Sequence, residues 1–176
     1  AGAAKDEPSQ SRAGQADAPF CPSSQGSRMM TAQLSEQTRN IAATQALFQA
    51  FGAQDIPAIM EHLHPDAVIE FYGTPVIPYA GTYRGREECR RFFEVVLSSV
   101  DIHRFDTEEF IAERDKVVVT GALHLTARST GRAIISDFVH VITLKDGKWI
   151  RFRDFMNTAI AVAAFSRDAE RVVSTL

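Results

Sequence analysis

Several kinds of residue are scarce in this chain, and each shortage excludes something. Only two of its 176 residues are cysteines, Cys21 and Cys89. No disulfide framework can be built from them, and no Cys/His spacing suits zinc. No apolar run approaches the roughly 20 residues that a helix needs to cross a bilayer. No apolar core of a signal peptide opens the sequence. Positive charge is not in excess, since 19 Lys and Arg stand against 22 Asp and Glu for a formal net charge of -3. That leaves no basic footprint for nucleic acid and no polybasic patch for a membrane surface. A cytoplasmic protein with no nucleic-acid or membrane partner, and with no metal or redox cofactor, is the expectation.

What is present is the composition of a folded domain, 45% hydrophobic and 23% charged. The length suits one domain with a tail, large enough to bury a core without a metal or disulfide staple. Residues 1–28 are rich in Ala, Ser, Gly, Gln and Pro, and Phe20 is their only large apolar side chain. Such a segment buries too little surface to offset its ordering entropy. Residues 1–30 therefore read as a disordered tail or a cloning-derived segment, with a natural start at Met29 or Met30. The folded domain is expected over residues 31–176.

Helical periodicity runs from Gln33 to Phe51, where Ile41, Phe48 and Phe51 share a face and Gly52 is a plausible C-cap. Asp55 can N-cap a second, short helix carrying Ile59, Met60 and Leu63, which Pro65 stops by His64. Ala67–Tyr72 reads as a strand and 73–81, with two prolines and two glycines, as a loop. The clearest helix spans about Arg86 to Ser99, with Cys89, Phe92, Phe93, Val96, Leu97 and Val100 at helical spacing. Four strands follow, Phe105–Ala112, Val117–Ala127, Ala133–Leu144 and Trp149–Phe155, separated by turn-forming residues. Short separators imply antiparallel hairpins. A last helical stretch covers about Ala159 to Phe165. The fold class is α+β, with helices packed on a curved, mostly antiparallel sheet around an apolar pocket.

Four stretches carry a resemblance: HPDAVIEF after the second helix, TYRGREECRRFF entering the third, TGRAIISDFVHVITLKDGKWIRFRDFMNTA through the last hairpin, and the AVAAF that follows. Together they resemble the SnoaL-like branch of the NTF2-like superfamily, which also includes ketosteroid isomerase, limonene-epoxide hydrolase and the phenazine-biosynthesis A/B proteins. The resemblance implies a cone-shaped fold with a pocket between helices and sheet, and a homodimer joined through the sheet. It does not imply one reaction, because members include isomerases, cyclases, hydrolases and binding proteins.

The resemblance also puts Asp154 in the pocket. FRDFMN is similar to the WRDYFD of limonene-epoxide hydrolases, whose aspartate at this place is catalytic. Strand alternation sets Ile150, Phe152, Asp154 and Met156 on one face and Trp149, Arg151, Arg153 and Phe155 on the other. Ser136, Phe138, His140 and Ile142 share a face of the preceding strand. If the Asp146-Gly147 turn is a three-residue loop with a glycine bulge, His140 falls on the face of Asp154; a two-residue turn reverses that parity. A carboxyl group and an imidazole side by side in an apolar pocket offer general acid–base catalysis, since burial raises the acid's pKa and an imidazolium lowers it.

Other readings stand beside this one. Asp154 could be a sheet-edge partner of Arg151 or Arg153, and His140 a satisfied structural histidine. His62 and His64 suit a helix end, and His124 faces either side. Glu70 and Tyr72 share a face with Val68, pointing into the pocket or to solvent. Tyr79 and Tyr83 lie before the third helix, at the rim of the pocket in this superfamily, where a hydroxyl can orient a substrate carbonyl or anchor the loop. Phe48, Phe92, Phe138 and Phe152 are expected as core and pocket wall.

The sequence departs from two relatives. Limonene-epoxide hydrolases need an Arg and a second Asp on an earlier strand, where this chain has TGALHLT with Gly121 and Leu123 nearest those places. Ketosteroid isomerase has a base in its early strand region and an oxyanion hole of tyrosine and protonated aspartate, for which Glu70 could stand as the base and Asp154 as the acid. Asp154 with His140 comes nearest to the SnoaL cyclases.

The expectation is an enzyme acting on a small hydrophobic carbonyl compound by proton transfer at carbon, as an isomerase or polyketide-cyclase-like lyase. Asp154 would be the acid–base, His140 its assistant, and Tyr72 or Tyr83 the contact to oxygen. Phe48, Glu70, Phe92, Ser136, Phe138, Phe152 and Met156 would line the substrate. The alternatives are a non-catalytic protein binding a small hydrophobic ligand, and a structural dimer whose cavity is filled by phenylalanines.

Overall fold

The structure, a computed structural model, describes residues 24–167. Helix α1 (Ser24–Gly52) comes first, and helix α2 (Ile56–Glu61) follows through a tight turn. Strands β1 (Leu63–Phe71) and β2 (Gly81–Arg84) then pair antiparallel, and β2 runs straight into helix α3 (Gly85–Ser99). Strands β3 (Val100–Glu113), β4 (Lys116–Ala127), β5 (Arg132–Lys145) and β6 (Lys148–Met156) form a meander closed by helix α4 (Thr158–Phe165). The sheet has the order β2-β1-β6-β5-β4-β3, and β1–β6 is its one parallel pair. This is the expected α+β architecture, with helices packed on a curled, mostly antiparallel sheet.

Local chemistry explains most boundaries. The Asp55 side chain accepts a hydrogen bond from the Ala58 amide at 3.0 Å, which caps α2 as its sequence suggests. Helix α3 buries Cys89, Phe92, Phe93 and Val96 on one face. Each fully buried large apolar side chain stabilises by about 1.5–3 kcal/mol, so the helix is held by that face more than by propensity. In the β5–β6 turn Asp146 and Gly147 take positive φ values of 53° and 72°. Two such residues make the tight hairpin turn whose twist matches the flanking strands.

Four boundaries differ from the sequence reading, one of them the start of β3, which lies at Val100, read as part of the helical pattern, rather than at Phe105. Helix α1 begins at Ser24, so residues 24–30, which composition assigned to the tail, are helical. Met29, Met30 and Leu34 of this helix are exposed. The remainder of that tail, with Cys21, lies outside the described residues, as do residues 168–176. Strand β1 starts at Leu63 rather than Ala67, because its early residues pair with β6 across a register shift between Leu63 and Val68. Residues 81–84 form a strand where a loop end was expected, since Val68 to Phe71 offer them a free edge.

Helix α1 crosses β3 and β4, and α3 crosses β1. The core lies between these helices and the inner face of the sheet. Among the described residues no helix is long and apolar enough to cross a membrane.

Candidate functional site

The inner face of the sheet and helices α1 and α3 enclose a cavity of about 60 Å³. Leu47, Phe48 and Phe51 of α1 and Phe92, Phe93 and Val96 of α3 form one side. The sheet supplies Phe105, Leu123, His140, Trp149, Phe152, Asp154 and Met156, and the loop after β1 supplies Tyr79. The lining is almost wholly apolar and aromatic. His140, Asp154, Tyr79 and Trp149 bring its polar atoms.

A bulge brings the first two together. Lys145 pairs with Lys148 around the two-residue turn, and that register alone would set His140 opposite Arg153. Leu144 pairs with Trp149, however, and Thr143 with Arg151, which leaves Ile150 as an extra residue in β6. The bulge flips the parity, and His140 pairs with Asp154. The bulge anticipated in the turn thus exists, but two pairs further on, inside the strand. It has a second effect. Trp149 points inward beside Phe152 and is 1% exposed, not outward with Arg151 as simple alternation predicts.

His140 Nε2 lies 3.3 Å from Asp154 Oδ2, with side-chain exposures of 4% and 14%, so solvent reaches the acid and hardly the imidazole. The angle is not that of a hydrogen bond. Both ring nitrogens of His140, Asp154 Oδ1 and Trp149 Nε1 are buried with no hydrogen-bond partner in the protein. Such groups are rare in native interiors, because each unmet donor or acceptor carries a desolvation cost. All four are on cavity-lining residues.

Aromatic packing fixes the imidazole. It stacks on Phe138 with centroids 4.3 Å apart and meets Phe152 edge-on at 4.9 Å. Phe138 in turn stacks on Phe105 at 4.8 Å. Gly121, opposite Phe138 on β4, makes this possible. A Cβ there would sit 2.5 Å from the Phe138 ring and would also strike the Asp106 carbonyl. The missing side chain of Gly121 is therefore the space in which Phe138 lies.

Tyr79 is buried between Phe71 and Phe165, edge-on to both. Burial pushes its phenol well above the usual tyrosine value, and the nearby Asp154 charge pushes it further. It therefore remains an O–H donor beside the acid at any physiological pH.

Several expected site residues lie elsewhere. Glu70 and Tyr72 are on the outer face of the sheet, because Ile69 and Phe71 take the inward positions of β1. Glu70 accepts a hydrogen bond from Arg151 Nε at 2.8 Å, which holds its carboxyl below the usual range. A proton-taking role in the cavity is closed to it. Tyr72 is 45% exposed and stacks on Phe155. Tyr83 packs against Phe92 at 5.1 Å and is not part of the lining. Ser136 shares the inward face of β5 but lies beyond the cavity, where its hydroxyl accepts from the Asn157 amide at 3.1 Å. Phe138 backs His140 instead of lining the space. Phe48, Phe92, Phe152 and Met156 do line it. The sequence reading set Tyr79 at the pocket rim but gave the oxygen contact to Tyr72 or Tyr83, and it set Trp149 on the outer face; Tyr79 and Trp149 both line the cavity. A tyrosine in an aperiodic loop has no pattern to place it, and Trp149 is turned by a bulge that no motif announces.

The sequence profile of the SnoaL-like domain matches residues 44–152. The chain belongs to the SnoaL-like family. The match includes His140 and stops just short of Asp154. Solved structures agree with this SnoaL-like assignment and show the NTF2-like fold. An NTF2-like protein from Burkholderia xenovorans LB400 is 25% identical, with a TM-score of 0.69 over 74% of this chain and 98% of that one. An NTF2-like protein of unknown function from Burkholderia pseudomallei K96243 is 27% identical, with a TM-score of 0.67 over 73% and 98%. TerC, co-crystallized with polyporic acid, is 28% identical, with a TM-score of 0.64 over 72% and 98%. No curated protein matches the chain.

Proposed function

We propose that the cavity takes a small hydrophobic carbonyl compound and that Asp154 moves a proton at the carbon beside the carbonyl. The carrying observation is the set of unpaired buried polar atoms of His140 and Asp154 in an otherwise apolar cavity. In this reading the Asp154 carboxylate takes the proton from carbon. The bond's electron pair moves into the carbonyl, and the oxygen becomes an enolate. Tyr79, with its phenol held protonated, donates to that oxygen in the place first given to Tyr72 or Tyr83. Asp154 then returns the proton to a different carbon, giving an isomer, or the enolate carbon closes a ring on a second carbonyl. His140 stands 3.3 Å from the carboxylate across the strand pair and limits its rotation by contact, without a hydrogen bond to it. The co-crystallization of TerC with polyporic acid supports a small organic ligand for a protein of this fold.

Deuterium exchange into the α-carbon of acetophenone and α-tetralone in heavy water, followed by NMR, tests the step. Wild type is expected to accelerate exchange over buffer, and Asp154→Asn to lose that acceleration by about 100- to 10,000-fold, the usual share of a general base. Exchange that survives in Asp154→Asn sinks the mechanism. Ketone binding without any exchange makes the protein a non-catalytic binder of hydrophobic ligands.

We also propose a homodimer through the outer face of the sheet. Its support is an apolar strip on that face, where Tyr72, Val139 and Phe155 are 45%, 39% and 41% exposed and neighbour one another across β1, β6 and β5. Sedimentation equilibrium decides between dimer and monomer.

A further inference from the structure

Helix α4 lies beyond the residues that the SnoaL-like profile matches, and its sequence, TAIAVAAF, has no ionisable side chain. Its C-cap, Ser166, is extended rather than left-handed, so no glycine-type turn meets the last carbonyls. Side chains meet them instead. Thr130 Oγ1 donates to the Ala164 carbonyl at 2.5 Å. Arg132 Nη1 donates to the carbonyls of Ala163 at 3.2 Å and Ser166 at 2.7 Å. A guanidinium is also the charge that the negative end of a helix favours. Ahead of the helix, the Asn157 amide donates to Ser136 Oγ at 3.1 Å. Both ends of α4 are thus tied to β5, the strand that carries His140, or to the turn before it.

The last residue of α4 links this clamp to the cavity. Phe165 is buried and meets the Tyr79 ring edge-on at 5.8 Å, while Phe71 meets the same ring edge-on at 4.9 Å. Phe71 is fixed by its strand, where it pairs with Gly81 and Asp154. Phe165 has no strand to hold it and owes its place to α4. Arg132 itself does not line the cavity. We infer that Arg132 is a positioning residue: by clamping the C-terminus of α4 it holds Phe165 against Tyr79, and so keeps the phenol at the Asp154 end of the cavity. Its value to catalysis rests on the proton-transfer reading above; its hold on Tyr79 does not. A misplacement of about 1 Å at a reacting group can cost about 100-fold in rate, so a clamp remote from the chemistry is felt there.

The deciding test needs no ligand. The chain has three tyrosines, so carbon-13 at tyrosine Cζ gives three NMR resonances, with Tyr79→Phe identifying the one of interest. In Arg132→Gln the Tyr79 resonance is expected to shift. Those of Tyr72, stacked on Phe155, and Tyr83, packed on Phe92, are expected to stay in place. Arg132→Lys keeps a cationic donor and should restore the Tyr79 resonance in part. If Arg132→Gln folds poorly, Thr130→Val removes the other clamping bond and should shift the same resonance. A Tyr79 resonance that stays put, or three resonances that move alike, overturns the inference. Acetophenone exchange reports on the reaction separately. Its maximal rate should fall about 10-fold in Arg132→Gln with KM nearly unchanged, a smaller loss than the roughly 100- to 1,000-fold that one oxyanion donor is worth. No exchange in wild type removes the proton-transfer reading and leaves the clamp to the spectrum. A displaced Tyr79 with undiminished exchange keeps the clamp and takes Tyr79 out of the reaction.

Discussion

Strand β6 carries an ionisable pair on each face, and the two pairs differ in what their atoms do. On the outer face Arg151 gives its Nε–H to Glu70 at 2.8 Å, and the acid is held below its usual pKa. On the inner face His140 and Asp154 approach to 3.3 Å without hydrogen-bond geometry, and three of their polar atoms stay unmet. The outer face is more exposed, so its groups could have been left to water, yet they satisfy one another. The inner face is where unmet groups cost most, and there they are left open. Solubility and sheet cohesion explain the outer pair. The inner pair is arranged less favourably for the fold, and in the proposed function that openness is what a ligand would use, an exchange of stability for function.

The outer face is also where a partner copy would sit, and the largest expected effect follows from that. Phe155→Glu places a charge in the centre of the apolar strip, against Tyr72. Truncating or charging a central aromatic at an interface commonly costs about 2 kcal/mol or more. Dimer dissociation should therefore strengthen by about 30-fold in sedimentation equilibrium, with the inner-face exchange activity per folded chain retained. A wild type that is monomeric at micromolar concentration, or a variant that associates equally well, would end the dimer proposal.

A smaller effect of opposite sign is expected on the inner face. His140→Phe keeps a flat ring on Phe138 and removes two unmet nitrogens. An apolar replacement of similar shape is neutral or stabilising where it strands no partner, and His140 makes no hydrogen bond whose loss would strand Asp154. The variant should gain about 1 kcal/mol, or about 2–4 °C in Tm for a domain of this size, while losing exchange activity. Thermal melts beside the exchange assay check both halves. A clear loss of stability would mean that the imidazole is satisfied within the folded protein, and the contrast between the two faces would disappear.

How far each face was legible in the sequence follows from what its residues depend on. Helix α3 and strands β3 to β6 announced themselves because their periods, 3.6 and 2, are written in single residues such as Phe92, Phe93 and Ile142. The pairing of His140 with Asp154 needed the register, and register needs a bulge at Ile150 that carries no glycine or proline signal. The same bulge turned Trp149 from an expected surface residue into a cavity wall. Glu70 and Tyr72 were undecidable by alternation alone, because period 2 gives two faces and does not say which is inside. The neighbours Ile69 and Phe71 settle that question only once the helices are seen to cover their side. Tyr79 sits in an irregular loop whose position depends on Phe71 and Phe165, far apart in sequence.

The smallest effect belongs to the outer pair and sharpens the contrast by its pH dependence. Glu70 has a folded pKa below its ordinary 4.5, first because of the Arg151 hydrogen bond and then through the charges of Arg151, Arg153 and Arg84. A depressed acid contributes stability that is fully present above its unfolded pKa and is lost as pH falls through the folded one. The window thus opens near pH 4.5 and extends downward. In Arg151→Gln the Glu70 carboxyl, followed by NMR titration, should move up towards 4.5. At neutral pH the cost should be only about 1 °C in Tm, since exposed ion pairs contribute little and are screened by salt. In acid, below the Glu70 transition, wild type and variant should melt together.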